Sequence, residues 1–522
     1  MKTIFSKTIV AVLILTSLIL LNSCSKEFLE RPPEDSPSSS EFYRTTAQIQ
    51  GATNILYSVP WYEFISNVSW CIGDLAAGTG RTWDPRNQDF DLFAITGEHN
   101  TLGQAWNSLF AVIAHANTII NTVPENANAD VPISVVNSAV GEARAMRAVA
   151  YFYLVRIFGS VPIIENNLEL VDQNYIERHV VADIYTFIKN DLNYAIANIS
   201  HNKATEPGRI SSNGAKALLA KVHLTLEEYA EAYNLSTDVI ASGEFKLLGG
   251  TAEDGIAGSY NDLFLTANDN NQESILATQW TGSGKYAEGN GVQSLYALGG
   301  ITGFDDGWSA IGPSLDLQDT YEDKVVDQRY KATIMEPNSF YPNLNGGYTA
   351  PDPSGCNAQG TNVAIKKYVV GTPATNGGGD RSSYANNIYL LRYADVLLTQ
   401  AEAIIRGNVG SMSEAETSLN KIRNRAGLAS ISNPDFEDVF KERKLEFALE
   451  MQHWYDAIRR DDALEYLSTR QRGWFNDTER GEVDGITDRF VQVSANKLLF
   501  PYPTNETLNN PALLDEPVPY FN

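Results

Sequence analysis

Glu142-Ala-Arg-Ala-Met-Arg-Ala-Val-Ala-Tyr-Phe-Tyr-Leu-Val-Arg-Ile-Phe-Gly-Ser-Val-Pro162 is the stretch whose reading decides the fold. Ala145, Ala148, Phe152 and Val155 recur on one helical face, Gly159 is a C-terminal stop and Pro162 lies beyond it, which predicts a helix over residues 133–158. Upstream, Leu102, Trp106, Leu109, Ile113, Ala116 and Ile120 follow a three-or-four spacing until Pro124, where the pattern is expected to stop. Downstream, Ile184, Phe187, Ile188, Leu192, Ala195 and Ile199 give a third apolar stripe. Two nearly contiguous helices follow, 213–226 after the caps Ser211 and Ser212, and 227–242 closed by Gly243, and their spacing makes a hairpin.

The same layout returns near the end of the chain. A helix is predicted over 390–405, then a capping box from Ser413 and Glu416, then a helix through Leu419 and Ile422 to Gly427. Small residues at the crossings, Ala215 and Ala220 in one hairpin and Ala394 and Ala401 in the other, resemble tetratricopeptide units, although the period is too irregular to establish them. Residues 249–387 lack this periodicity. They are rich in Gly, Asn, Asp, Ser and aromatic residues, and read as long loops with short strands at 274–280 and 364–370. Loops of that length in a compact protein generally carry function, so the ligand is sought there.

The N-terminus has the layout of an export signal. Lys2 and Lys7 precede a nearly unbroken aliphatic run over 8–21, and Leu21-Asn22-Ser23-Cys24 follows the pattern of a bacterial lipoprotein signal. A run of about 14 residues spans roughly 21 Å as a helix, too short for a hydrocarbon core of about 30 Å. Cys24 is therefore the expected first residue of the mature chain and its lipid attachment point, with more than one acyl chain needed for firm anchoring. Residues 25–40 hold Pro and Ser with few large apolar residues and read as a flexible tether. The expected organisation is a signal over 1–23, a tether over 24–40 and one domain over 41–522, its helical scaffold at about 41–248 and 388–470 and its loop-rich part at 249–387.

The 522-residue chain carries a formal charge of −25, which argues against nucleic acid as a partner. Cys71 and Cys356 could form a bridge or remain two buried thiols. The 6 histidines never approach a His-x-x-x-His spacing. No Gly-x-Ser-x-Gly, phosphate-binding loop or dinucleotide fingerprint is present. No cofactor is expected. The run 268–273 could offer oxygens to a structural calcium, yet it lacks the calcium-loop spacing and reads better as a polar turn.

Several segments occur together in one order: Cys24-Ser-Lys-Glu-Phe-Leu-Glu-Arg-Pro-Pro33, the stretch 142–162, Leu391-Arg-Tyr-Ala-Asp-Val-Leu-Leu-Thr-Gln-Ala-Glu-Ala403, Leu419-Asn-Lys-Ile-Arg-Asn-Arg-Ala-Gly-Leu428, Glu442-Arg-Lys-Leu-Glu-Phe-Ala-Leu-Glu450 with Trp454-Tyr-Asp456 and Arg459, and Leu499-Phe-Pro-Tyr-Pro503 with Glu506 and Asn510-Pro511. This order resembles the SusD/RagB family of Bacteroidetes lipoproteins. The resemblance implies a mostly α, SusD-like fold with a tetratricopeptide-like scaffold. It also implies a non-catalytic lipoprotein on the outer face of the outer membrane that captures a nutrient, most often a glycan, for a SusC-type TonB-dependent transporter. Lys26-Glu27 resembles the charged export signal of such proteins. Met451 and His453 stand where the family usually has Gly and Arg, and the usual Gln-Asn-Pro-Gly-Tyr ending is missing.

The shared motifs are structural, so only Cys24 carries over as a functional residue. Arg443, Glu446, Glu450 and Arg459, read as lying on one helix from 442 to 459, suit a buried ion-pair network better than a catalytic Glu446–Glu450 pair. Binding residues must come from chemistry. Sugars present apolar C–H faces ringed by hydroxyls, so a platform needs exposed aromatic faces beside hydrogen-bonding groups. Two loops qualify: Arg81, Trp83, Asp84, Arg86 and Asn87 in one, and Tyr286, Asn290, Tyr296, Asp305, Asp306 and Trp308 in the Gly-rich other. The competing reading makes Trp83 and Trp308 buried loop anchors. Trp106 and Trp454 sit on helical stripes and are assigned to the core, while Trp61, Trp70, Trp280 and Trp474 stay open. The functional alternatives are a surface glycosidase, which needs two carboxylates about 5 to 10 Å apart, and a helical-repeat scaffold that binds only protein.

Overall fold

A computed structural model describes residues 42–521 apart from 172, 251–254, 377–378, 476–485 and 488. The expected signal, Cys24 and the expected tether lie outside the described residues. The scaffold helices are α1 (Asn100–Asn126), α2 (Ile133–Phe158), α3 (Val181–Asn198), α4 (Ser212–Thr225), α5 (Tyr229–Ser242), α6 (Tyr393–Gly407), α7 (Met412–Arg425), α8 (Phe436–Glu446) and α9 (His453–Ala457). Each packs mainly on its neighbour in sequence from α1 to α5; α5 then packs on α6, and α6 on both α7 and α8. The array of helix hairpins thus continues across the loop-rich segment as if that segment had been inserted into it. No described helix is long and apolar enough to cross a membrane.

The opening stretch forms the middle of this array. Nearly every side chain of α2 from Ser138 onward is buried, because α1 and α3 cover opposite faces and the alanines permit close approach. A Cβ at Gly141 would lie 3.0 Å from the Ile199 side chain, a tight contact at that crossing. Arg147 ties three helices: its Nε and Nη2 donate to Asp191 of α3 at 2.7 and 2.8 Å, and Nη1 donates to Asn117 of α1 at 2.7 Å. Gly159, at φ 76, ends the helix as its sequence position predicts.

Among the loops, β1 (Ser274–Thr278) and β2 (Ile388–Arg392) pair antiparallel and are buried along their whole length. An ion-pair network joins this ribbon to the scaffold. Arg392 meets Glu273 and Glu450, each at 2.8 Å, and also Glu446; Arg425 of α7 meets Glu273 at 2.6 Å and Glu446 as well. Lys367 adds a contact to Glu450 at 3.0 Å. Arg443 pairs with Asp395 and Asp456, and Arg459 with Glu402 and Asp456, so the network predicted from the motif is present. Glu446 is held ionised: burial pushes its carboxyl up, but Arg425, Arg392 and Arg329 outweigh burial and bring it well below the usual range.

Several boundaries differ from the sequence reading. Residues 390–392 belong to β2, because pairing with β1 satisfies their backbone groups, and the helix begins only at Tyr393. α1 runs through Pro124 and ends two residues later at Asn126; the proline gives up the N–H that would bond the Ile120 carbonyl, and the helix stops within the same turn. The capping box uses Ser411 and Glu414, two residues earlier than expected, since Ser411 is the extended residue before the first turn. The segment 442–459 is two helices: Leu449 and Met451 adopt φ of 58 and 63 and break it. Met451 therefore holds a left-handed conformation at the position where the resemblance implies Gly, at a cost of roughly 1 kcal/mol. The strand expected at 364–370 is only Ala364–Ile365, paired with Ile334–Met335, and a turn follows.

Cys71 and Cys356 are free, buried thiols. Trp106 and Trp454 are buried as their helical spacing predicts, and Trp61, Trp70 and Trp280 join them. The calcium alternative loses its oxygens to the protein itself. Asn270 Oδ1 accepts from Gln279 Nε2, Asn271 Oδ1 accepts from Glu273 N, and Glu273 is taken by arginines. Among the described residues no cluster of His, Cys, Asp or Glu could hold a metal.

Candidate functional site

The two loops singled out by composition meet because two very short strands pair. Gly80–Arg81 runs antiparallel to Gly312–Pro313, and Thr82 Oγ1 donates to the Ala310 carbonyl at 2.9 Å, across 228 residues of sequence. Gln359 locks the junction: its Oε1 accepts from Trp83 N at 2.9 Å and its Nε2 donates to Ser309 O at 2.6 Å. Asp84, Arg86 and Trp308 consequently line one cleft of about 600 Å³, within the usual range for small-ligand sites.

Trp308 is 49% exposed, with its backbone N–H fixed to Ser294 O at 2.8 Å. In the same cleft, Arg86 Nε donates to both oxygens of Asp84 at 3.0 Å, which holds that carboxyl below its usual range. His99 Nδ1 accepts from Thr101 N at 3.3 Å, leaving Nε2 to donate to Arg86 O at 2.8 Å, so the imidazole fixes the loop to the start of α1. Asn87, Asn100, Thr101 and Gln104 supply further amide and hydroxyl groups, and Asn67 and Trp70 complete the wall.

The remaining predicted residues fall into different places. Trp83 is half-buried, its ring under the Arg81 guanidinium at 5.3 Å and against Gly360, and it supports the loop beside the lining residues. Arg81 is itself buried and reaches the Gln359 carbonyl. Tyr286 is 75% exposed and is not among the residues that line the cleft; its hydroxyl donates to Glu63, which also accepts from the cleft residue Gln104 at 3.0 Å. Asp305 is exposed.

Asn290, Tyr296 and Asp306 require correction as candidate ligand contacts, because all three are interior. Asn290 ties Val292 N to the chain at Asn386. Tyr296 reaches the Leu449 carbonyl at 3.4 Å, and burial pushes its hydroxyl pKa well up. Asp306 collects Ser294 Oγ at 2.8 Å, Tyr384 OH at 2.6 Å and Ser382 N at 2.8 Å, which makes it the knot that shapes the Trp308 loop. Burial pushes its carboxyl up, but these donors and Thr302 leave it below the ordinary value.

Sequence reasoning missed Asn67, Trp70, His99, Asn100, Thr101 and Gln104. Asn67 and Trp70 belong to a stretch with π-helical turns, Phe64–Val68 and Cys71–Ala76, whose i→i+5 bonding leaves no standard periodicity to read, although such turns often accompany functional sites. The signal for the others was positional: they open the helix that begins beside His99. Glu446 and Glu450 are buried within the arginine network, so the alternative of a catalytic pair there has no accessible carboxylate.

The fold is a helix-hairpin scaffold carrying a cleft lined in part by an exposed tryptophan. The chain belongs to the SusD family: residues 268–518 match the model described as SusD family, and 27–224 match one described as starch-binding associating with outer membrane. A SusD-like protein of Bacteroides ovatus is 33% identical over 98% of both chains. A protein solved with a xylogluco-oligosaccharide superposes with a TM-score of 0.79 at 31% identity, covering 91% of this chain and 99% of its own. A laminarin-binding SusD-like protein superposes at 0.69 with 26% identity, over 90% of this chain and 98% of its own.

Proposed function

We propose that this protein is a non-catalytic, cell-surface glycan-binding lipoprotein that holds an oligosaccharide in the Trp308 cleft and passes it to a SusC-type TonB-dependent outer-membrane transporter. The observation that carries the reading is that the exposed Trp308 lines the same cleft as Asp84 and Arg86. An aromatic side chain in one cleft with a guanidinium, a carboxylate and a set of amides matches the C–H faces and hydroxyls of a sugar ring. The relatives solved with a xylogluco-oligosaccharide or described as laminarin-binding support a glycan as the cargo.

The lining counts against glycoside hydrolysis. Asp84 is the one carboxylate among the described lining residues, and it is engaged by Arg86, whereas hydrolysis uses a separated pair. Cys24 would anchor the chain to outer-membrane lipid on the cell exterior, with residues 25–40 as slack between membrane and scaffold. Titration of the purified mature chain with xylogluco-oligosaccharide, laminarin and other glycans, with reducing ends measured in parallel, tests the reading. Saturable binding without release of reducing ends supports it. Release of reducing ends would establish the hydrolase instead, and absence of glycan binding together with transporter pull-down would establish the protein-binding scaffold. Cys24→Ala should shift the protein from the membrane fraction to the soluble one.

A further inference from the structure

Lys366 and Lys367 are adjacent, both buried, and treated in opposite ways. Lys367 Nζ has a carboxylate, Glu450, at 3.0 Å. Lys366, 4% exposed, donates only to the Val369 carbonyl at 3.0 Å, within the turn that it begins, and no carboxylate lies within ion-pair distance among the described residues. An ammonium group has three donors, and a buried one without a counter-ion is costly. Burial pushes its pKa down to about 8, which leaves it protonated at neutral pH.

Lys366 lines a cavity of about 300 Å³ that shares no residue with the Trp308 cleft. Asp327 also lines this cavity, but Arg329 engages both its oxygens at 2.9 and 2.8 Å. Exposed Lys331 adds a second positive charge. The rim is apolar and uncovered: Phe340 is 64% exposed and Val325 85%. In a chain with a formal charge of −25, this cavity is locally cationic.

We propose that the cavity beside Lys366 is a second binding site, for a carboxylate carried on a ring with an apolar face. The carboxylate supplies the acceptor that Lys366 lacks, and the ring lies against Phe340. Two sources share this chemistry, an acidic sugar such as a hexuronate and an aromatic acid. The site does not depend on the cleft reading, because its residues and its ligand charge are different.

The test is titration of the mature chain, followed by calorimetry and ligand-observed NMR, with galacturonate, benzoate and neutral galactose as probes. Parent protein, Lys366→Met, Phe340→Ala and Trp308→Ala are compared. The expected result is saturable binding of at least one carboxylate that galactose does not compete, weakened roughly tenfold or more in Lys366→Met. Phe340→Ala should weaken it severalfold and Trp308→Ala should leave it unchanged. Preference for galacturonate identifies the acidic sugar, and preference for benzoate the aromatic acid. The proposal is overturned if neither carboxylate binds saturably, if both cavity variants keep the parent affinity, or if Trp308→Ala abolishes the binding. Phe340 is exposed at the rim, so its variant decides the matter even if Lys366→Met fails to fold.

Discussion

Trp308→Ala should weaken glycan binding by about 1–3 kcal/mol while leaving the fold intact. A fully uncovered aromatic side chain presents about 150–250 Å², so at 49% exposure Trp308 keeps roughly 100 Å² in solvent. A sugar ring lying on one face covers about 60 Å² of that, worth about 1.5 kcal/mol at 25 cal/mol per Å². Dispersion contacts of the stacked atoms add to this figure. The corresponding rise in Kd is roughly 5- to 150-fold. The scaffold does not depend on the indole, since the loop is held by Asp306, by Gln359 and by backbone bonds to Ser294 and Leu295. Calorimetric titration with a glycan that binds the parent, paired with a thermal melt, measures both quantities. A Kd within twofold of the parent, with an unchanged melt, would refute the placement of the site.

Gly360→Ala should destabilise the protein by about 1–3 kcal/mol and weaken glycan binding, since φ is +74 and the new methyl would lie 2.6 Å from the Trp83 ring; tryptophan fluorescence and the melt report the displacement. Glu446→Gln should cost about 3–5 kcal/mol in urea denaturation, because Arg392 and Arg425 would lose a shared carboxylate in the interior. The pH dependence follows from its lowered folded-state pKa: the stabilisation is present above the unfolded carboxylate value of about 4.3 and is lost as pH falls below it, so the variant should show a shallower loss of stability on acidification. Cys71 and Cys356 should resist a thiol reagent in the native protein at pH 7 and react after denaturation, since both are buried and burial pushes Cys356 up to about 12.

Much of the scaffold was legible because helices write their geometry locally. The stripe through Leu102 and Trp106, the stop at Gly159 and the αL cap at Gly243 each need only residues within a turn or two. The errors arose where two local signals competed. Ser411-x-x-Glu414 and Ser413-x-x-Glu416 are the same motif shifted by two residues, and only the backbone entering from Gly410 selects the first. Leu390 through Arg392 fit a helical stripe as readily as a buried strand, and pairing with β1 settled the choice.

The site was legible in composition and not in arrangement. Trp308, Asp84 and Arg86 were singled out because sugar chemistry requires those residue types, and they line one cleft, yet Asn290, Tyr296 and Asp306 have equally suitable chemistry and lie inside. Polarity along a loop does not record which side chains face water. The sequence by itself determined the helix-hairpin scaffold and the ion-pair residues that brace it, because these depend on short-range periodicity and residue type; the ligand was sought in 249–387, whereas the candidate cleft takes most of its lining from residues 67–104. Only the tertiary structure decided that Gly80–Arg81 pairs with Gly312–Pro313, that part of the cleft wall comes from the start of α1, and that among the described residues Lys366 has no carboxylate like the one beside Lys367. Each of those depends on contacts between residues far apart in sequence, whose proximity is set by the packing of the whole domain.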